Sequence, residues 1–178
     1  MARRLKSSTK GDGDIDTFDY LPSYYSADTL ILGCGNPLMG DDGFGPELVS
    51  YLAANVSMPD GVLALDTGMG VTRILLDLAI APRKPRRLVV ADAMRLGKPP
   101  GTVSLTSLDA FEVRPARAFS AHQEPTSSLL RELGELGGIE VLLLTVEPER
   151  MPEEVSPGLS AAVGDAIARA CDLLRELC

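Results

Sequence analysis

The stretch TLILGCGNPLMGDDGFGPELV, residues 29–49, decides the fold class of this chain. Its first five residues form an apolar run that ends at a glycine, which is typical of a buried strand. At the other end, Pro46 suits the first turn of a helix, and Glu47 is favourable beside the positive end of the helix dipole. The loop between them carries five glycines, so the backbone there takes positive φ angles or passes close to another segment. A strand, a glycine loop and a helix in this order predict an α/β unit.

The same alternation continues along the chain. Four more apolar runs predict strands within residues 62–66, 87–92, 101–106 and 139–146. Apolar residues spaced by three or four predict helices within residues 46–56, 71–78, 129–136 and 159–177, with Ser160 or Ser156 as the N-cap of the last one. The predicted fold is α/β, a three-layer α/β/α sandwich with a twisted, mostly parallel five-stranded sheet.

Composition limits the classes of function. The chain has 178 residues, 45% of them apolar, which suits one domain and is too short for two. A formal net charge of −8 disfavours a partner that is nucleic acid or an anionic membrane. Three cysteines without CxxC spacing predict a cytoplasmic protein without a disulfide framework, and no run reaches the roughly 18 apolar residues of a membrane span. Residues 1–27 mix charge, Gly, Ser and Tyr without a period and are predicted to be a flexible extension ahead of one domain over residues 28–178.

Acidic residues follow three predicted strands. Asp41 and Asp42 lie in the loop after the first strand, Asp66 ends the second, and Asp92 ends the third. Ligands of parallel α/β sheets bind beyond the carboxyl ends of the strands. A single Asp after a strand is often only a turn or helix-cap residue. Three such positions at one edge are better explained by a bound cation, because clustered carboxylates repel one another without one.

His122, the only histidine, precedes the third predicted helix in a polar loop. A lone histidine is more often a surface or packing residue than a ligand. Beside an acidic edge, however, its imidazole favours a transition metal over magnesium. Two Asp and one His would leave an open coordination position, as in reactive sites. Three ligands on three separate loops predict modest affinity for free metal and a site that an incoming partner completes.

Other interpretations of these motifs are weaker. The GxGxxG pattern from Gly33 fails at its sixth position, Leu38, and a nucleotide-binding domain is disfavoured because Asp41 and Asp42 repel phosphate. No HExxH or GxSxG peptidase motif is present. Cys34 and His122 are conceivable as nucleophile and base, although a cysteine at a buried strand end is more often a packing residue. From the residues alone, the prediction is an acidic, metal-binding site on an α/β sheet.

The loop from Gly33 to Pro46 resembles the opening motif of the hydrogenase maturation proteases, roughly GxGNxLxxD(D/E)GxG. The resemblance continues in chain order to residue 177, through the segments 66–68, 90–93, 100–103, 120–122 and 147–149. Its first motif is most similar to the branch that serves F420-reducing hydrogenases. Two departures stand out: Asp42 replaces the Glu of some members, and Gln-Glu-Pro-Thr follows the histidine where many members have Gln-x-Gly-Leu.

The resemblance implies an endopeptidase that removes the C-terminal extension of a [NiFe]-hydrogenase large-subunit precursor after nickel insertion. Nickel would be supplied by the substrate, and no tightly bound metal is expected in the free enzyme. By position in the motifs, the implied metal-contacting residues are Asp42, Asp92 and His122. The implied catalytic residues are Asp42 and Asp66, and the implied substrate-binding residues in the first loop are Gly35, Asn36, Asp41 and Gly43.

Two mechanisms and one other function stay open at this point. Nickel could polarise the scissile carbonyl or activate water. Alternatively, nickel could be only a recognition mark, with Asp66 or Asp42 acting as the base on water. A non-proteolytic nickel-binding chaperone for the large subunit would use the same carboxylates.

Overall fold

The structure is a computed structural model, and it describes residues 23–111 and 124–177. Its centre is one five-stranded sheet with the spatial order β2-β1-β3-β5-β4. The strands are β1 (Thr29–Cys34), β2 (Val62–Gly68), β3 (Arg87–Ala93), β4 (Val103–Ser107) and β5 (Glu140–Val146). β2, β1, β3 and β5 are parallel, and only the edge strand β4 runs antiparallel, against β5. The predicted five-stranded, mostly parallel sheet is confirmed.

Within the described residues, helices cover both faces of this sheet, two on each side. They are α1 (Phe44–Asn55), α2 (Val71–Ile80), α3 (Glu124–Glu135) and α4 (Ala161–Leu177). Because side chains alternate along a strand, Ile31 packs with α1 and α4, whereas Leu30 and Leu32 pack with α2 and α3. Two separate aliphatic cores result, which confirms the predicted three-layer arrangement.

Two helix starts differ slightly from the sequence pattern. α1 begins at Phe44, two residues before Pro46, which still falls in the first turn, where its missing N–H is tolerated. α4 begins at Ala161, and Leu159 lies outside it although it shares the apolar spacing. The cause is local: Ser160 accepts the N–H of Val163 at 3.3 Å on its hydroxyl oxygen. Of the two predicted N-caps, the structure therefore has Ser160.

The N-terminal side of the domain includes part of the segment predicted as an extension. Ser23–Tyr25 form a 3-10 turn against α2, where the Tyr24 hydroxyl donates to the Asp77 carboxylate at 2.9 Å. The Tyr25 hydroxyl donates to the Asp77 carbonyl at 3.3 Å. Residues 23–25, which fall within the predicted extension, therefore pack against the domain. Residues 1–22 lie outside the described residues. No helix in the described parts of the chain is long and apolar enough to cross a membrane.

Candidate functional site

The loop after β1 lies against the carboxyl ends of β2 and β3, and its glycines allow this. Gly35 has φ +117°, and a Cβ there would collide with the carbonyl of Asp42. A Cβ on Gly45 would collide with the backbone of Cys34. The loop is therefore folded tightly onto itself, and it holds Asp42 beside the end of β1.

Asp42 is held by the same loop. Its Oδ2 accepts the backbone N–H of Asn36 at 2.8 Å, and the side chain is half-buried. Burial raises the pKa of Asp42 above its usual value, and the hydrogen bond from Asn36 opposes part of that rise. The loop thus presents one oriented carboxylate at the sheet edge.

Asp92 supplies the second carboxylate, from the end of β3. It lies two residues after Val90 and on the same face of the sheet, which is covered by α2 and α3. The side chain is only 5% exposed, and its Oδ1 accepts the N–H of Ala93 at 2.9 Å. Burial, and after it the negative charge of Asp42, raise the pKa of Asp92 to about 7, against a smaller lowering by the Ala93 N–H. The two acids are close enough to repel each other, as the sequence predicted.

A cavity of about 360 Å³ opens where these carboxylates meet. Asp42 and Asp92 line it together with Cys34, Gly35, Asn36 and Gly68 at the strand ends. Its remaining wall comes from the first turns of α2 and α3 and from residues under them. Sequence patterns did not predict this cavity, because they locate the sheet-facing stripe of a helix but not how far its first turn extends past the sheet edge.

Cys34 lines the cavity without the properties of a nucleophile. Its thiol lies 3.6 Å from the Thr67 hydroxyl, and burial, followed by the charge of Asp92, raises its pKa to about 12. At neutral pH almost no thiolate exists at such a group, and the thiolate is the reactive form. The structure therefore favours the interpretation of Cys34 as a packing residue.

Asp66 lies at the same sheet edge but outside this cavity. Asp66 is exposed, and it lies on the same face of β2 as Val62 and Ala64, which pack on the α1 and α4 side. Its Oδ1 accepts the N–H of Gly68 at 2.9 Å, which closes a turn. The prediction that Asp66 shares the catalytic work with Asp42 stays a prediction, and in this structure the two carboxylates do not line one pocket.

The position of Asp41 does not agree with its predicted role in substrate binding. It is fully buried, and its carboxylate accepts the backbone N–H groups of Glu149 and Arg150 on Oδ2, each at 2.8 Å. Ser160 donates its N–H to Oδ1 at 2.6 Å and its hydroxyl to Oδ2 at 3.0 Å. Since every one of these bonds is internal, Asp41 joins the first loop to the start of α4 and has no face left for a substrate.

The other predicted substrate-binding residues divide in the same way. Gly35 and Asn36 line the cavity and are partly exposed. Gly43 is buried, and a Cβ there would come within 2.8 Å of the Pro37 Cα, so it shapes the loop before α1. The prediction of a substrate contact at Gly43 therefore does not agree with its position.

His122 lies outside the described residues, so its predicted place beside Asp42 and Asp92 stays a prediction. Within residues 23–111 and 124–177, no three His, Cys, Asp or Glu side chains converge to hold a metal ion. What the described site offers is one pair of carboxylates, from the β1 loop and the end of β3.

Fold and site together define an α/β protein with two mutually repelling carboxylates at the carboxyl edge of its sheet. Comparison with known proteins then identifies the family. The sequence profile of the family described as hydrogenase maturation protease matches residues 46–176. The chain belongs to this family, whose members are maturation endopeptidases.

Individual relatives agree with this assignment. The chain is 35% identical to a putative hydrogenase maturation protease of Methanocaldococcus jannaschii, over 83% of this chain and 94% of that protein. It is 32% identical to the coenzyme F420 hydrogenase subunit delta of Methanothermobacter thermautotrophicus, over 85% of this chain and 95% of that protein. Among solved structures, the hydrogenase maturating endopeptidase HybD from E. coli matches with a TM-score of 0.66 at 27% identity, covering 82% of this chain and 88% of that one.

Proposed function

We propose that this protein removes the C-terminal extension of a [NiFe]-hydrogenase large-subunit precursor after nickel has entered that subunit. The single observation that carries the proposal is the pair formed by Asp42 and Asp92. Two carboxylates from separate segments face one cavity, and burial together with their repulsion raises the pKa of Asp92. A cation that arrives with the substrate would relieve this repulsion, because an opposite charge favours the ionised form of both acids.

The chemistry of the donor set fits nickel held by the substrate. Two carboxylates alone suit a hard ion such as magnesium, and an imidazole shifts the preference towards transition metals. His122 is the predicted imidazole, and Asp42, Asp92 and His122 would complete the shell of a nickel ion already bound to the precursor. Because these ligands come from three segments and two of them repel, the free enzyme would hold metal weakly.

Two roles for nickel follow. In the first, Asp42 and Asp92 would hold the metal, which would polarise the scissile carbonyl or activate water. In the second, the metal would only mark the substrate, and Asp42 or Asp66 would take the proton from water. Because Asp66 does not line the cavity, Asp42 is the better-placed base in the second role.

The test is cleavage of nickel-loaded and nickel-free precursor by the purified protein, followed by the mass of the large subunit. Cleavage of only the loaded form is expected; equal cleavage of both would rule out recognition of the metal. Asp42→Asn and Asp92→Asn should each lower cleavage by at least about 100-fold, as expected for lost electrostatic positioning at a reacting centre. Asp60→Asn, an exposed carboxylate at the opposite end of the strands, is the matched control.

The variant Asp66→Asn tests whether Asp66 is the base. A small effect excludes Asp66 and leaves the metal-centred mechanism or Asp42 as the base, whereas a loss equal to that of Asp42→Asn supports Asp66 as the base. If the loaded precursor binds but its mass never changes, the alternative of a non-proteolytic chaperone replaces the proposal.

We also place this reaction in the cytoplasm. Cys34 and Cys171 are free, buried thiols, which fits a reducing compartment.

A further inference from the structure

The cavity at the candidate site has two chemically different ends. One end carries Asp42 and Asp92, the only charged residues among its described lining residues. The other end lies between the first turns of α2 and α3 and is apolar. Its wall contains Met69, Val71, Leu108, Leu130 and Leu143.

We infer that this apolar end is a subsite for one large apolar side chain of the precursor, next to the bond that is cut. The inference rests on the proposed function, because it takes the carboxylate end as the place where the substrate's metal binds. Both ends belong to one continuous cavity, so a peptide that brings its metal to Asp42 and Asp92 also brings its neighbouring side chains to the apolar wall. The volume of about 360 Å³ is near the lower limit for small-ligand sites, and it suits one residue and its neighbours rather than a folded element.

The polar groups of this wall are compatible with an apolar occupant. The hydroxyls of Thr72 on α2 and Thr126 on α3 lie 3.2 Å apart and hydrogen-bond to each other. Because each already has a partner, covering them with an apolar side chain leaves neither without a hydrogen bond. Met69, which is 76% exposed beside the cavity, adds a flexible apolar side chain that adapts to its contacts.

The charge of the cavity excludes one class of occupant. No Lys or Arg is among its described lining residues, so these residues offer an acidic side chain no counter-ion, and Asp42 and Asp92 would repel it. The subsite would therefore select against acidic residues beside the scissile bond and for large aliphatic ones. Full burial of such a side chain corresponds to roughly a 10- to 100-fold gain in kcat/KM over alanine.

Filling the subsite is the first test. Thr72→Phe places a large ring at the wall, and Leu76→Phe is the matched control, because it lies on the same helix, is half-exposed and does not line the cavity. With nickel-loaded precursor, Thr72→Phe should lower kcat/KM about 10- to 100-fold, and Leu76→Phe should leave it unchanged. The defect of Thr72→Phe should largely disappear on a precursor whose apolar residue beside the cut is alanine.

A second variant tests the subsite even if Thr72→Phe fails to fold. Met69→Asp changes an exposed residue, so that the fold is retained, and its charge should lower cleavage of the native precursor about 10-fold. If Thr72→Phe melts like the wild type and both variants cut the native precursor at the wild-type rate, the inference is overturned. If a lysine or arginine beside the cut improves cleavage more than leucine does, the subsite takes a basic residue and the inference is likewise overturned.

Binding of a small probe separates this inference from the proposed function. N-acetyl-leucinamide at millimolar concentration should shift the backbone amide resonances of residues 71, 72 and 130 in the wild type and in Leu76→Phe. The same resonances should not shift in Thr72→Phe. Failure of the wild type to cut any loaded precursor would refute the proposed function, and the probe would still decide the subsite. Absence of saturable shifts in the wild type would refute the subsite even if the precursor is cut.

Discussion

Asp41 and Asp42 are consecutive in the chain, but their carboxylates lie in opposite kinds of surroundings. The Asp41 carboxylate is fully buried and accepts four hydrogen bonds from residues 149, 150 and 160. It also lies at the N-terminus of α4, where the helix dipole favours a negative charge. The Asp42 carboxylate accepts the backbone N–H of Asn36 and shares a cavity with a second acid, Asp92.

The difference separates two uses of the same functional group. The Asp41 carboxylate stabilises the fold, because it accepts the backbone N–H groups of a distant loop and the buried N–H of Ser160, which would otherwise lack an acceptor. The Asp42–Asp92 pair works against stability, because burial and mutual repulsion disfavour its ionised form. A pair of this kind, with perturbed pKa values in a cavity, is typical of a functional site.

The largest effect is expected when Asp41 is removed. Asp41→Ala removes the charged acceptor of three backbone N–H groups, of which that of Ser160 is buried, and this should lower the free energy of unfolding by about 4–6 kcal/mol. Urea denaturation measures the change. Asp42→Ala is the matched control and should cost at least about 2 kcal/mol less, since only the Asn36 N–H loses its partner. Equal losses for the two variants would contradict the contrast between these residues.

The pH dependence of stability tests the Asp42–Asp92 pair through the titration of Asp92. Asp92 has a pKa of about 7 in the folded protein, above its ordinary value of 3.8, so the folded state binds more protons than the unfolded state between these values. The free energy of unfolding should therefore fall as pH rises from about 4 to about 7, by up to about 4 kcal/mol, and this contribution is fully lost above pH 7.

Asp92→Asn removes the titrating group and keeps an oxygen that can accept the Ala93 N–H. Urea denaturation of wild type and variant at about pH 5 and pH 8 measures the dependence. The wild type should lose more stability than the variant between the two pH values. A wild-type curve parallel to that of Asp92→Asn would mean that Asp92 is ionised throughout this range.

The sequence could predict the fold and half of the site, for identifiable reasons. Buried strands such as Leu30–Leu32 are continuous apolar runs, and the helices between them repeat every three or four residues, so both are visible locally. The meeting of Asp42 with Asp92 follows from topology, because parallel strands bring their carboxyl ends to one edge.

The role of Asp41 shows what local patterns do not contain. Asp41 differs from Asp42 only because a loop 108 residues away donates to it, and nothing near Asp41 signals that contact. Asp66 is different, since its position two residues after Ala64 on β2 already indicates the face of Ala64, opposite that of Leu65. That signal is present in the sequence, whereas the catalytic role of Asp66 is implied by the family motif and stays a prediction.

A bound metal ion should reduce the destabilising repulsion between Asp42 and Asp92. Nickel at 1 mM and about pH 8 should raise the free energy of unfolding of the wild type by about 1.4 kcal/mol if the dissociation constant is about 0.1 mM. This gain corresponds to a rise of a few degrees in Tm for a protein of this size. Asp42→Asn and Asp92→Asn should lose most of the rise, and Asp60→Asn should keep it. A rise that survives both site variants would locate the metal elsewhere.

The smallest expected effect isolates one bond of the Asp41 cluster. Ser160→Ala removes the hydroxyl that donates to Asp41 and caps α4, but it leaves the Ser160 N–H donating to Asp41. Loss of an N-cap hydroxyl should cost about 1 kcal/mol, well below the cost of removing Asp41 itself. Ser156→Ala is the matched control, because Ser156 is in the same loop and its hydroxyl only accepts an exposed bond from Arg150, worth less than about 0.5 kcal/mol. Urea denaturation compares the two. If Ser160→Ala is as damaging as Asp41→Ala, the hydroxyl rather than the backbone donors carries the stability of this cluster; if it equals Ser156→Ala, the backbone N–H groups alone account for it.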